Sequence, residues 1–185
     1  MKIVLGSASP RRQNLLKELG YNFEVLIPTM DEIIDVNIPI EEVAADLAKK
    51  KALHLLSQTN EETLLICADT IVLYNGTILG KPKDREEALK YLSMLSGNEH
   101  QVITGVVLMH RDKILPFSET THVKFKKLSK EEISHYVDNY HPYDKAGAYG
   151  IQDWIGLIGV ESINGSYTNV MGLPTQQLNQ KILSL

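Results

Sequence analysis

At 185 residues, with 43% hydrophobic and 23% charged side chains, the chain is long enough to bury a core of its own, and its composition argues against disordered, collagenous and coiled-coil architectures. A net charge of −4 argues against a general nucleic-acid binder, which needs a basic excess to neutralise phosphates. The single cysteine, Cys67, excludes an internal disulfide framework and any cysteine-rich zinc site.

The chain alternates strand and helix signals. Ile3-Val4-Leu5 is a short buried-strand candidate, and too brief an apolar run for a signal-peptide core. Ser9 reads as a helix N-cap with Pro10 at the first helical position; Leu15, Leu16 and Leu19 form its apolar stripe and Gly20 stops it. A strand is expected at 23–27. Residues 39–57 read as a longer helix, with Ile40, Val43, Ala44, Leu47, Ala48 and Leu55 at helical spacing. A strong strand at 64–74 runs into Asn75-Gly76, a favoured two-residue hairpin turn, and a return strand from Thr77. Asp84 with Glu87 suggests a capping box for a helix reaching Leu95. Strands at 102–109 and 114–125 flank the polar turn Arg111-Asp112-Lys113. Ser129 with Glu132 caps a helix ending near Tyr140, a strand is expected at 157–163, and 175–183 forms a final helix. Asn164-Gly165-Ser166 reads as a turn rather than a glycosylation site. With no repeat, linker or membrane-length apolar stretch, this is one α/β domain, 1–185, with a mixed sheet, expected in the cytoplasm and without a membrane partner.

Four features break the rules of a plain core. Asp69 sits inside the apolar run 64–74, where an unpaired carboxylate is costly; it must meet a cation, a metal or hydrogen-bond donors, or bind a proton, unless it merely ends a strand at a bulge. Cys67 beside it reads as a small core residue rather than a nucleophile. Gly6-Ser7-Ala8-Ser9-Pro10-Arg11-Arg12 leads from a strand into a capped helix, with free amides and two arginine forks that suit phosphate, yet it lacks the ending of a Walker loop. Lys51 continues the apolar stripe of its helix, so it either snorkels to the rim, which position alone favours, or points into a cleft. Asp144-Lys145-Ala146-Gly147-Ala148-Tyr149-Gly150-Ile151-Gln152 concentrates charge, glycine and an amide, and the uncharged Asn164-Gly165-Ser166-Tyr167 and Gly172-Leu173-Pro174 follow; loops of this kind either bring backbone close to a ligand or are plain turns. The six histidines form no zinc signature, and neither a Gly-x-Ser-x-Gly elbow nor a Gly-x-Gly-x-x-Gly loop is present. Cations Arg11, Arg12, Lys51, Lys81 and Lys145 and carboxylates Asp31, Glu32, Asp69 and Asp144 remain, a mixture suited to a polyphosphate and a hard divalent ion.

Together Ser7-Ala8-Ser9-Pro10-Arg11-Arg12, Ala68-Asp69-Thr70, Gly80-Lys81-Pro82, Asp144 through Gln152, and Asn164-Gly165-Ser166-Tyr167-x-Asn169-Val170-x-Gly172-Leu173-Pro174 resemble the Maf family of nucleoside triphosphate pyrophosphatases. The resemblance covers nearly the whole chain in order. It implies a two-lobed mixed α/β fold with a central cleft, like that of the inosine-triphosphate pyrophosphatases, a divalent metal cofactor (Mg²⁺ or Mn²⁺), and homodimers. The Asp144–Gln152 loop is similar to that of the dTTP/UTP branch, which implies hydrolysis of those triphosphates to monophosphate and pyrophosphate. By the same resemblance the family's proton acceptor maps onto Asp69 and Glu32 is a cleft residue; Asp69 either accepts the proton of water or helps hold the metal, with Glu32 as the second candidate metal ligand. Arg11, Thr70 and Gln152 set specificity, while Ser7, Arg12, Lys51, Lys81 and Lys145 bind phosphate and substrate. Two other readings stay open: a pyrophosphatase for 7-methyl-GTP or another modified nucleotide, and a non-enzymatic nucleotide-binding regulator of cell division.

Overall fold

A computed structural model describes residues 2–185. The strands are β1 (Lys2–Gly6), β2 (Glu24–Leu26), β3 (Thr63–Tyr74), β4 (Thr77–Leu79), β5 (Glu99–His110), β6 (Lys113–Phe125) and β7 (Val160–Asn164). The helices are α1 (Pro10–Glu18), α2 (Val43–Leu55), α3 (Arg85–Leu95), α4 (Lys130–Tyr140), α5 (Trp154–Gly159), α6 (Tyr167–Val170) and α7 (Thr175–Leu183). The sheet order is β2-β1-β3-β5-β6-β7, with β4 on β3. It is mixed: β1 is parallel to β2 and β3, whereas β3–β4 and β6–β7 are antiparallel. Among the described residues, no helix is long and apolar enough to cross a membrane.

The chain divides into two compact units, one of Met1–Thr70, Thr104–Glu119 and Gly172–Leu185, the other of Ile71–Ile103 and Thr120–Met171. In the first, Leu65 and Cys67 of β3 meet Ala48, Ala52 and Leu55 of α2, with Val107 and Met109 of β5 completing that core. The close fit depends on Gly105, where a Cβ would lie 2.2 Å from the Ala45 nitrogen, so any side chain would lift α2 from the sheet. In the second unit, Leu92 and Leu95 of α3 and Ile133, Tyr136 and Val137 of α4 pack with Phe125, Tyr149 and Ile155.

Local signals place most ends. The Ser9 hydroxyl accepts from the Arg12 N–H with Pro10 at the first turn, and Gly20 follows α1 at φ 84°. Asn75 and Gly76 both take positive φ, 48° and 74°, as the hairpin turn requires. The capping box at Ser129 and Glu132 is complete. At Asp84 only half of one forms: its carboxylate accepts from the Glu87 N–H at 2.8 Å, but the Glu87 carboxylate takes the Lys83 N–H. One expectation needs correcting. The strand read at 157–163 starts only at Val160, because 154–159 is the short helix α5. Its six residues are too few to show a helical period, and Gly156 allows the turn, since a Cβ there would sit 2.0 Å from the Ile151 carbonyl oxygen.

Candidate active site

Two periodicities meet in the first unit. Leu65, Cys67 and Asp69 alternate onto one face of β3, and Leu47, Lys51 and Leu55 continue one stripe of α2. Where they converge, the Lys51 ammonium donates to Asp69 Oδ1 and lies 2.6 Å from Glu32 Oε1. Lys51 is 6% and Asp69 7% exposed. This corrects the expectation that Lys51 snorkels outward: its stem follows the core face, but its charge turns inward because a carboxylate waits there. Among the described residues Asp69 makes no other side-chain hydrogen bond, which leaves Oδ2 open. Burial pushes the adjacent Cys67 thiol up to about 12 against the opposing pull of Lys51 and Arg12, so it packs as an inert thiol.

The arginine loop behaves differently from a free phosphate clamp. Arg12 Nε donates to the Gly172 carbonyl (2.7 Å), one terminal nitrogen to Thr70 Oγ1 (3.0 Å) and the other to Ser7 Oγ (3.4 Å). The guanidinium therefore ties α1, the end of the apolar strand segment and the turn before α7. Its pKa is lowered, chiefly by burial, with the Asp69 charge opposing. Thr70 continues the link: its hydroxyl lies 2.8 Å from that of Thr104, a wholly buried residue of β5 that no motif signalled. Ser7 is 5% exposed and organises the loop, accepting from the Ser9 N–H at 3.2 Å. Arg11 is half-buried beside Arg12 and contributes positive field to it.

The other named residues belong to the second unit. The Gly147 N–H donates to the Gly80 carbonyl at 3.0 Å, which joins the backbone beside Lys81 to the loop that carries Lys145. Lys145 Nζ lies 2.8 Å from Asp144 Oδ1 and 3.8 Å from Asp153 Oδ2. Gln152 is exposed at the turn after Gly150. Asp153 and Tyr136, which sequence reasoning passed over, form part of this loop's support.

Among the described residues no group of three or more His, Cys, Asp and Glu side chains is arranged to hold a metal alone. Asp69 and Glu32 nevertheless meet at one ammonium. Two convergent carboxylates fit an ion that completes its shell with water and phosphate oxygens, as Mg²⁺ does.

A family model described as "Maf-like protein" matches residues 2–185. The chain is similar to proteins named dTTP/UTP pyrophosphatase from Bacteroides fragilis (49% identical, covering 100% of this chain and 96% of the relative) and from Parabacteroides distasonis (52%, covering 98% and 94%). A third, from Porphyromonas gingivalis, is 49% identical over 98% of this chain and 92% of its own. The solved structure of the Staphylococcus aureus Ham1 protein shares the fold, with a TM-score of 0.50 at 18% identity over 100% of this chain and 98% of that one. With the family model spanning every described residue and relatives near half identity along the full length, the chain belongs to the Maf family.

Proposed function

We propose that this protein hydrolyses dTTP and UTP between the α- and β-phosphorus atoms, releasing the nucleoside monophosphate and pyrophosphate. The observation that carries the reading is the buried Asp69 carboxylate, held on Lys51 together with Glu32 and lying in the field of Arg12. Hydrolysis needs a group that takes the proton of the attacking water, whereas a site that bound a triphosphate without a metal ion would only be repelled by a carboxylate there. The full-length relatives named for this activity support the same choice.

In this mechanism water attacks the α-phosphorus; a new P–O bond forms as the bond to the bridging oxygen breaks, and pyrophosphate leaves. Asp69 takes the proton of the attacking water at Oδ2 and passes it to solvent. Lys51 holds that carboxylate in place through its contact with Oδ1. Lys81 and Lys145 offset negative charge as it shifts toward the leaving group. Arg12, braced by Ser7, holds Thr70, and Arg11, Thr70 and Gln152 select a pyrimidine by pairing its polar edge, so that a poor fit leaves polar groups unpaired. Asp69 and Glu32 would hold a divalent ion, Mg²⁺ or Mn²⁺, which supplies Lewis-acid charge neutralisation on phosphate oxygens. The reading places the enzyme with the nucleotide pool of the cytoplasm.

The test is a panel of dTTP, UTP, CTP, GTP and 7-methyl-GTP with Mg²⁺ or Mn²⁺, with products identified chromatographically. Monophosphate and pyrophosphate, fastest from dTTP and UTP and lost on chelation, are expected. Release of orthophosphate, preference for 7-methyl-GTP, or tight binding without turnover would overturn it.

A further inference from the structure

Asp153 occupies the N-cap position of α5, where an aspartate ordinarily accepts from the helix's first amides, yet its side chain makes no capping hydrogen bond. The carboxylate is turned instead to Tyr136 of α4, whose hydroxyl donates to Asp153 Oδ2 at 2.5 Å. That same hydroxyl accepts from the Gly150 N–H at 3.0 Å. Gly150 and Asp153 are the first and last residues of a tight turn closed by the Asp153 N–H donating to the Gly150 carbonyl at 3.0 Å, and Gln152 sits inside that turn. Gly150 has no room for a side chain: a Cβ would lie 2.6 Å from Asp153 Oδ2. Tyr136 is wholly buried in the core of its unit, so its hydroxyl is a rigid anchor. Asp153 Oδ2 also lies 3.8 Å from Lys145 Nζ.

We propose that Tyr136 and Asp153 are positioning residues for base selection: one buried hydroxyl clamps both ends of the turn that presents Gln152, and the carboxylate it orients also faces Lys145. Forgoing a helix cap lowers local stability, which makes sense where the carboxylate has another task. Burial and the Asp153 hydrogen bond raise the Tyr136 phenol above its ordinary value, so it stays a donor across the working range of pH. A flexible turn would let the Gln152 amide follow any base edge, whereas a clamped one leaves a mismatched edge unpaired. This inference rests on the reading that Gln152 contacts the base.

The experiment compares Tyr136→Phe, Asp153→Ala, Gln152→Ala and Tyr136→Phe/Gln152→Ala with the parent protein. It measures kcat/KM for dTTP, UTP, CTP and GTP, and amide hydrogen exchange at Gly150 and Gln152. Tyr136→Phe keeps the buried ring, and Asp153→Ala opens the same turn without touching the core, so either one serves if the other fails to fold. The proposal expects Gly150 exchange in Tyr136→Phe to rise about tenfold or more, the equivalent of losing one hydrogen bond to a rigid partner. It also expects the dTTP-to-GTP preference to narrow about tenfold in both single variants, with the Tyr136→Phe/Gln152→Ala protein no worse than Gln152→Ala alone. Unchanged Gly150 exchange in Tyr136→Phe overturns the clamp whatever the kinetics show. Faster exchange with an unchanged base ranking, while Gln152→Ala alters it, overturns the clamp's role in selection and leaves Gln152 in place. If Gln152→Ala leaves the ranking untouched, the base-contact reading falls and the selective role of Tyr136 falls with it, while exchange still reports whether the clamp exists.

Discussion

Replacing Lys51 with methionine keeps the apolar stem on the α2 stripe and deletes the ammonium. The Lys51 and Asp69 side chains are 8% and 10% exposed, so the carboxylate left behind is desolvated with no cation in contact. Glu32, whose side chain is 40% exposed, can turn to water, and its contact with Lys51 is worth at most about 1 kcal/mol. Removing one partner from a buried pair costs about 3–5 kcal/mol. The field of Arg12 on Asp69 offsets part of this, which sets the expected loss at the lower end, about 3 kcal/mol. For a chain of this length that lowers the thermal midpoint by about 6–12 °C. The sign of the coupling is the sharper test. Adding Asp69→Asn to Lys51→Met removes the stranded charge, so the double variant should be about 2 kcal/mol more stable than Lys51→Met alone. Urea unfolding of the parent, both single variants and the double variant closes the cycle. A Lys51→Met protein that melts within about 2 °C of the parent, or one further weakened by Asp69→Asn, would refute the claim that this ammonium holds the carboxylate in place.

Asp69→Asn in the otherwise unchanged protein should lower dTTP turnover about 10²-fold or more, the scale of a lost general base, and near-parental turnover in a folded variant would take Asp69 out of the mechanism. His100 is 2% exposed and burial lowers its pKa to about 4, so the unfolded chain takes up this proton first; stability is full above pH 6.5 and falls as the pH drops toward 4. Between pH 7 and 5 this one group should remove about 2 kcal/mol, seen as a shift in the urea midpoint that His100→Gln abolishes; an equal slope in that variant would assign the effect elsewhere. Gly105→Ala should cost about 3 kcal/mol or more, because its methyl would lie 2.3 Å from the Ala44 carbonyl carbon, and any folded fraction should turn over slowly as α2 carries Lys51 away. A folded, fully active Gly105→Ala protein would show that α2 can shift without moving its lysine.

Much of this protein is legible in neighbouring residues. Ser9-Pro10, Asn75-Gly76 and the Ser129/Glu132 box act within a few positions of themselves, so their geometry is written locally. Asp69 also announced itself, since a carboxylate in a continuous apolar run needs a partner wherever the strand ends up. The partner's identity was another matter. Lys51 looked outward by position, because an isolated helix offers a lysine nothing but water, and only the packing of α2 over β3 supplies the carboxylate that draws it in. Arg12 reads as a phosphate fork in its loop, yet it reaches Thr70 and Gly172, 58 and 160 residues away. Gly105 and the hydroxyl of Tyr136 carry no motif at all, and their importance appears only when another segment's backbone or turn arrives against them. Local spacing determines which atoms share a face of one helix or strand, whereas the pairing of elements far apart in the chain determines which faces meet, and a charge changes its meaning with the face it meets.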